Sequence, residues 1–584
     1  MVSGFESLSP SQTRAWRPLH LFLAALAFAP AIPLAGLVNR YGVDVLYRDQ
    51  WEEVPFMAKA FRGGLTLADF FEPHNEHRIF FPRLLFVLLA RLTHWNVRAE
   101  MGLIVAGACL IAWSLQILLR RSWPEQPVKA LAFSLVVNLF VFSPIQHQNW
   151  LWGFQLQFLA PILCFSALLA LPERLSPRIW AALAAALCVV STFSLGAGFL
   201  VWVAALPVLL ARLPRPSWLR AALLWLLGLA ACLTLYLYGY VPPRHTFSNP
   251  PFFEQPALFA RLFVTMLGQP LAIAFGKARE TLAFSLGALL LLAYAALLAQ
   301  LVRARSLRTP LATVAWASLG LHALLLDGLI TFGRAGAGIG SAFASRYTTP
   351  TLYLVIAVFV LAILTAEDAL RGSASPLARL AFPTLASLAV LIWSVPSGRI
   401  GRDDMEARFV RLSQAKAELV LSPLLPRMPL STRLHPDPAR VAEGVQTLDA
   451  LGLLRPPLRK SARVADVATL RPGTCGALEE VYPDRRKIRV LGAAWLPDRP
   501  RVPDAVLITY HKGQRGPIVF AAAGPGRSRP DVAQALHCPA CLDSGWEAAV
   551  GLPDTLLPAR IEAWAYDVEA NTLCRLEGDY RLER

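Results

Sequence analysis

Charged residues are scarce in this chain. Of 584 residues only 16% are Asp, Glu, Lys or Arg and 55% are hydrophobic, with a mean hydropathy of +0.47; soluble domains carry roughly 25% charged residues. One soluble globule is thereby excluded. Acid is the scarcer sign: 56 Lys/Arg face 39 Asp/Glu, net +17. Residues 1–396 hold 29 basic against 16 acidic side chains, and residues 397–584 hold 27 against 23. The basic excess therefore lies among apolar runs, where it orients helices in a bilayer rather than gripping nucleic acid. Cysteine is sparse too. Cys109, Cys164, Cys188 and Cys232 fall in apolar runs, where the thiol is a small hydrophobe. The pair Cys538-Pro539-Ala540-Cys541 has no second such pair, which argues against a zinc ribbon, although His537 keeps a metal open. Of three possible pairings among Cys475, Cys538, Cys541 and Cys574, two disulfides, 538–541 and 475–574, are expected. No small-residue cleavage site follows the first apolar run, so it is expected to stay as a helix.

Runs able to cross a ~30 Å hydrocarbon core occur near 19–38, 99–119, 128–144, 154–171, 178–194, 196–212, 218–240, 281–302, 308–331, 347–366 and 377–396, about eleven spans. Arg120, Arg121 and Lys129; Arg174 and Arg178; Arg212, Arg215 and Arg220; Arg303, Arg305 and Arg308; and Arg371 with Arg379 occupy alternate connections. The positive-inside rule then puts the N-terminus in the cytoplasm and, after eleven crossings, the C-terminal region outside. Two further apolar stretches are expected to lie on the outer face without crossing. One is 79–95, interrupted by Pro82, Arg83 and Arg91; the other is 262–276, short and broken by Gly268 and Pro270.

Of the 16 acidic residues before position 397, seven fall in the first outer loop: Asp44, Asp49, Glu52, Glu53, Asp69, Glu72 and Glu76. The loop reads Tyr47-Arg48-Asp49-Gln50-Trp51-Glu52-Glu53, continues through an amphipathic segment with Val54, Phe56, Met57, Ala60 and Phe61, and reaches His74-Asn75-Glu76-His77-Arg78. Carboxylates, imidazoles and an arginine at a membrane interface supply a base for a hydroxyl proton and cations for a phosphate. The plainer reading is a solvated loop, but the other outer loops are poor in acid.

Other outer segments carry polar candidates. Around Gln148-Asn149-Trp150 and Trp152-Gly153-Phe154-Gln155, amides stand beside indoles, the groups that bind sugar rings. Trp150 and Gln155 are the leading candidates there, against the alternative of interfacial anchors. The glycine-rich stretch after Arg334 leads into Ser345-Arg346-Tyr347, where Arg346, with Arg334 as second choice, would meet a lipid phosphate or simply snorkel. His322 and Asp327 share one expected span and are assigned to packing or a cavity wall.

Together these features resemble the GT-C superfamily, multi-spanning glycosyltransferases that use polyprenyl-phosphate-linked sugars, and within it the bacterial group akin to lipopolysaccharide-core and aminoarabinose transferases. The shared features are an Asp and an aromatic just after the first membrane helix, a juxtamembrane amphipathic helix, the His-Asn-Glu-His-Arg run, and the late Ser345-Arg346-Tyr347. The resemblance covers roughly residues 15–370. It implies that Asp49 is the catalytic base; Arg48 and Gln50 flank it where the family often has adjacent acids, which leaves Asp44, Glu52 and Glu76 as competitors. Arg346, with Arg78 or His77, would hold the departing phosphate, and His74, Arg334 and Tyr347 complete the expected binding set. No cofactor is required; a divalent metal is possible.

The expected architecture is a mainly α polytopic membrane helix bundle over 1–396, with an outer catalytic loop at 40–98. A helical linker follows over 397–470, and an extracytoplasmic α+β region ends in a β-sandwich over 471–584. Helical periodicity marks 403–420 and 438–454; strands are expected at 488–496, 505–510, 517–523, 546–552 and 559–566, with a hairpin connection at 511–516. The late strands resemble carbohydrate-binding jelly-roll modules. The expected function is transfer of a sugar from polyprenyl phosphate to an acceptor hydroxyl on an envelope glycan, lipid or protein, at the outer face of the bacterial cytoplasmic membrane. The rivals are a glycolipid transporter or flippase, which calls for ionisable residues at mid-membrane depth, and a noncatalytic glycan-binding envelope protein.

Overall fold

The structure, a computed structural model, describes residues 22, 24–241, 250–276, 279–303, 311–370, 376–425, 432–484, 487–511, 516–551 and 558–582. The start of the first expected span, Arg305, Arg308 and Arg371, and positions 512–515 of the expected hairpin lie outside these residues. The described residues are 66% helical, with a β-rich C-terminal region. It divides into two compact units: Met1–Gly42, Thr66–Leu88 and Arg98–Met405 form one, and Val43–Leu65, Leu89–Val97 and Glu406–Arg584 the other. The first outer loop is therefore shared out, with Asp44, Asp49, Glu52 and Glu53 in the second unit and Asp69, Glu72 and Glu76 in the first.

Among the described residues, nine helices are long and apolar enough to cross a membrane: Val97–Ser122, Pro127–Trp150, Gly153–Ala170, Arg215–Leu237, Pro256–Phe275, Glu280–Arg303, Leu311–Ala337, Ser345–Leu370 and Leu380–Leu421. A multi-pass membrane protein follows. Two expected spans are shorter in fact, as the helices Pro177–Thr192 and Leu200–Ala211. The helix Phe80–Thr93 has 14 residues and, at about 1.5 Å per residue, falls short of a ~30 Å core.

One expectation is overturned. The stretch expected to be broken at Gly268 and Pro270 is a continuous helix, Pro256–Ala272, extended by a 3₁₀ turn. Gly268 does not break it but lets it touch the helix Glu280–Arg303, since a Cβ there would stand 1.7 Å from the Ala283 carbonyl oxygen. Pro270 lacks the amide that would bond Met266 four residues back, and the helix continues past it with the Thr351 hydroxyl oxygen 3.4 Å from the freed Met266 carbonyl. Likewise the span at 377–396 and the helix at 403–420 are one element, Pro376–Leu421, with Pro383 and Pro396 inside it.

The second unit contains a β-sandwich. Its strands are β1 Thr469–Arg471, β2 Gly476–Asp484, β3 Lys487–Ala494, β4 Ala505–His511, β5 Ile518–Ala523, β6 Pro525–Arg527, β7 Gly545–Gly551, β8 Ala559–Asp567, β9 Thr572–Arg575 and β10 Tyr580–Leu582. One sheet runs β1-β9-β8-β4-β5 with β10 on β8, the other β2-β3-β7-β6. Alternation builds the core: Ile488 and Val490 of one sheet share a buried cluster with Val506, Ile508, Ile561 and Ala563 of the other, and Trp546 closes it. Both expected disulfides are formed, Cys475–Cys574 and Cys538–Cys541. The segment after Glu53 is the expected amphipathic helix, Val54–Arg62, with Val54, Phe56, Met57 and Ala60 buried.

Candidate functional site

In the first unit the run His74-Asn75-Glu76-His77 is a tight turn. His74 N–H donates to the His77 carbonyl at 2.7 Å and His77 N–H to the His74 carbonyl at 2.9 Å, with Asn75 in the left-handed region at φ 49°, which Asn tolerates better than most residues. The approach to the turn is fixed by a reciprocal cap on the helix Leu67–Phe71: Thr66 N–H donates to Asp69 Oδ2 at 2.7 Å and Asp69 N–H to Thr66 Oγ1 at 3.4 Å. Asp69 is thus a structural carboxylate. Arg83 Nη1 donates to the Asp69 and Glu72 carbonyls at 3.1 and 2.6 Å.

Arg78 is spent on backbone. Its Nε donates to the Tyr236 carbonyl at 2.6 Å, and its other two nitrogens donate to the carbonyls of Phe71 and Tyr238. It staples the turn to the end of the helix Trp218–Leu237. Tyr236 completes the staple, its hydroxyl accepting Arg78 N–H at 3.0 Å and donating to the Glu76 carbonyl at 3.1 Å.

The turn presents Glu76 and His77 to two arginines. His77 Nδ1 accepts the Gly196 N–H at 3.2 Å, so the neutral ring carries its proton on Nε2, which faces Glu76 Oε1 at 3.7 Å. Arg334 Nη2 lies 3.8 Å from the same oxygen. Burial alone would raise the Glu76 carboxyl, but His77, its own backbone amide, Arg334 and His74 together hold it below the usual range. Arg334, the last residue of the helix Leu311–Arg334, also donates from Nε to the Tyr347 hydroxyl at 2.7 Å. The Arg346 guanidinium lies over the Tyr347 ring, 4.6 Å from its centre, and donates to Gln148 Oε1 at 3.1 Å.

The loop before Trp150 fixes this second arginine. Gln148 N–H donates to Ser345 Oγ at 3.2 Å, Asn149 Nδ2 donates to the Arg346 carbonyl at 3.0 Å and to Thr349 Oγ1 at 2.6 Å, and Ser345 Oγ donates to the Ile145 carbonyl at 2.7 Å. Glu76, His77, Arg334, Tyr347, Arg346 and Gln148 are consequently one contiguous cluster between the ends of span-length helices. Side chains at Glu76 and Arg334 keep 38% and 32% of their surface exposed, so a ligand can reach them. His74 is buried beside the Phe154 ring at 4.9 Å. Trp150 is 2% exposed and donates from Nε1 to the Ser143 carbonyl at 2.9 Å; it packs the core, and Gln155 is buried with it. Asp327 is buried where Thr351 Oγ1 donates to its Oδ2 at 2.8 Å, and His322 lies against Phe165.

The remaining carboxylates belong to the second unit. The 3₁₀ turn Arg48–Glu53 is held by Tyr47 N–H donating to Gln50 Oε1 at 3.2 Å and Arg48 N–H donating to the Leu434 carbonyl at 2.7 Å. Glu52 faces His435 and Arg440, each at 3.4 Å. Asp49 is half-buried and makes no side-chain hydrogen bond or ion pair among the described residues. No group of three or more His, Cys, Asp or Glu among the described residues is placed to hold a metal ion.

Tyr236 and Gly196 escaped the sequence reading. The first had a signal, in Tyr236-Leu237-Tyr238-Gly239-Tyr240 at the end of an apolar run; the second, a backbone donor, had none. No family model, curated protein or solved structure matches the chain.

Proposed function

We propose that this protein is a membrane glycosyltransferase that moves a sugar from polyprenyl phosphate to an acceptor hydroxyl on an envelope glycan, lipid or protein. The observation that carries the reading is the Glu76–His77–Arg334–Tyr347–Arg346 cluster. It joins an ionised carboxylate to two arginines at helix ends, where a lipid-borne phosphate would enter. The acceptor oxygen attacks the anomeric carbon and its proton passes to the Glu76 carboxylate. The bond from that carbon to the phosphate oxygen breaks, and its electron pair leaves with the polyprenyl phosphate. Arg334 and Arg346 take up the developing charge. Attack opposite the leaving group inverts the anomeric centre. His77 positions Glu76; Arg78, committed to carbonyls, is structural. The alternating arginine loops support a site on the outer face of a bacterial cytoplasmic membrane.

Asp49, without a partner among the described residues, is the carboxylate to set against Glu76. Transfer of labelled sugar from polyprenyl phosphate, followed in membranes, decides between them. Loss of a general base lowers the rate about 10²- to 10⁴-fold, and that loss is expected in Glu76→Gln. If Asp49→Asn alone shows it, the base is Asp49. Normal transfer in both variants and in Arg346→Ala removes the glycosyltransferase reading.

A further inference from the structure

Beneath the arginine cluster of the first unit, the helices Pro256–Ala272, Leu311–Arg334 and Thr348–Leu370 meet. Asp327 lies seven residues before Arg334, and so on the same helix face about 10 Å further in; Thr351 lies four residues after Tyr347, one turn further in on its own helix. Asp327 is wholly buried in a span-length helix and makes no ion pair among the described residues. Thr351 Oγ1 donates to its Oδ2 at 2.8 Å, but Oδ1 has no hydrogen-bond partner among the described residues. An ionised carboxylate left so in a bilayer core is costly, and such a residue is a functional candidate for that reason.

The third helix brings oxygens to the same seam. Its Gly268 side is taken by the helix Glu280–Arg303, while Leu262, Thr265, Met266 and Gln269, at the three- and four-residue spacing of one face, are buried. Met266 marks where that face points: its carbonyl oxygen, which has no Pro270 amide to meet, stands 3.4 Å from Thr351 Oγ1. The single Thr351 proton is committed to Asp327, so the contact supplies that carbonyl with none. Thr265 Oγ1 and Gln269 Oε1 are likewise buried without hydrogen-bond partners among the described residues. One carboxylate thus shares a seam with hydroxyl, amide and backbone oxygens, the hard ligands of an alkali or alkaline-earth cation. Charge chooses between them. A monovalent ion neutralises one carboxylate, whereas a divalent ion would leave an unpaired positive charge among apolar helices. We infer that Asp327, Thr351, Thr265, Gln269 and the Met266 carbonyl bind a sodium ion, the small alkali cation that suits helices packed this closely. The inference does not rest on the transferase reading.

Equilibrium binding of radiolabelled sodium to the purified full-length protein in detergent tests it, with thermal melts in NaCl, KCl and choline chloride at equal ionic strength alongside. Saturable binding of one sodium per chain is expected, and a Tm that rises with NaCl until the site fills but does not follow KCl or choline chloride. Asp327→Asn keeps the shape and removes the charge, and should weaken binding at least about tenfold. Thr265→Val leaves the Asp327–Thr351 hydrogen bond in place and should weaken binding severalfold; it decides the matter if the Asn variant does not fold. No saturable binding to the wild type, an equal gain of Tm in KCl, or binding unchanged in every variant that folds overturns the inference and leaves Asp327 holding a proton instead. Neither readout involves sugar transfer, so a failure here leaves the reading of the outer cluster intact.

Discussion

At His77 a backbone amide decides what a side chain can do. With Nδ1 occupied by Gly196 N–H, the imidazole can only donate toward Glu76 from Nε2, which makes it a positioning group. Gly196 has no room for a methyl: a Cβ would stand 2.6 Å from His77 Nδ1. Gly196→Ala is therefore expected to displace the ring and lower kcat by roughly 10²-fold, the scale of a 1 Å misplacement, with donor binding less affected; steady-state transfer kinetics check this. Glu76 gives a second expectation. Its carboxyl is held below the usual range, so its ionised form stabilises the fold; that contribution is full above the unfolded value and fades as pH falls through the lower folded one. Glu76→Gln should melt below wild type at neutral pH, and the gap should close in strong acid, as thermal melts at several pH values would show. Glu76, His77, Arg334, Arg346 and Tyr347 were legible in the sequence because ionisable side chains are rare there. Their division of labour was not, since it depends on which carbonyls and amides lie opposite each one: Arg78 looked like a phosphate ligand until three carbonyls claimed it.

Helix packing shows why small residues mattered more than hydropathy alone. Gly268 and Gly287 face each other across the helices Pro256–Ala272 and Glu280–Arg303; a Cβ on Gly287 would lie 1.9 Å from the Val264 carbonyl oxygen. This is the close backbone approach that small residues permit between membrane helices. Gly287→Ala must push the helices apart, and overpacking of this kind destabilises by about 1–3 kcal/mol, measurable as a lowered Tm in detergent. In the sequence, a glycine and a proline in one short apolar run signalled a break. The helix survives because Gly268 lets the helix Glu280–Arg303 close on it, with the Thr351 hydroxyl standing near the carbonyl that Pro270 leaves free. Neither partner is near in sequence.

The whole chain joins a helical membrane unit to a unit ending in a sandwich, and its two disulfides lie in the latter. Cys475–Cys574 closes a separation of 99 residues; loops of that length are worth roughly 4–5 kcal/mol in the chain-entropy account. Mass spectrometry without reduction should find no free thiol at Cys475, Cys538, Cys541 or Cys574, and Cys475→Ser should lower the denaturant midpoint of the second unit. With the helix Pro256–Phe275 counted as non-crossing, the arginine loops lead to a further expectation. A reporter active only outside the cytoplasm should work when fused after Arg584, and a cytoplasmic one should fail; the opposite result reverses the orientation.

By itself the sequence determined the class of the molecule, because hydropathy, charge asymmetry and strand alternation are local properties that follow from the solvent each segment must meet. It marked a bilayer for the apolar runs, disulfides for the late cysteines, and β3, β4, β5, β7 and β8 for the sandwich. The short strands β1, β6, β9 and β10, and β2 with its bulge, were silent because pairing with distant partners, not their own pattern, makes them strands. Tertiary structure alone assigned the acids of one loop to two units, placed Asp69 in a cap and Glu52 in an ion pair, and set Glu76 between His77 and Arg334. A carboxylate's role depends on what stands within a few ångströms of it, and residues as distant in sequence as Glu76 and Arg334 meet only when the chain has folded.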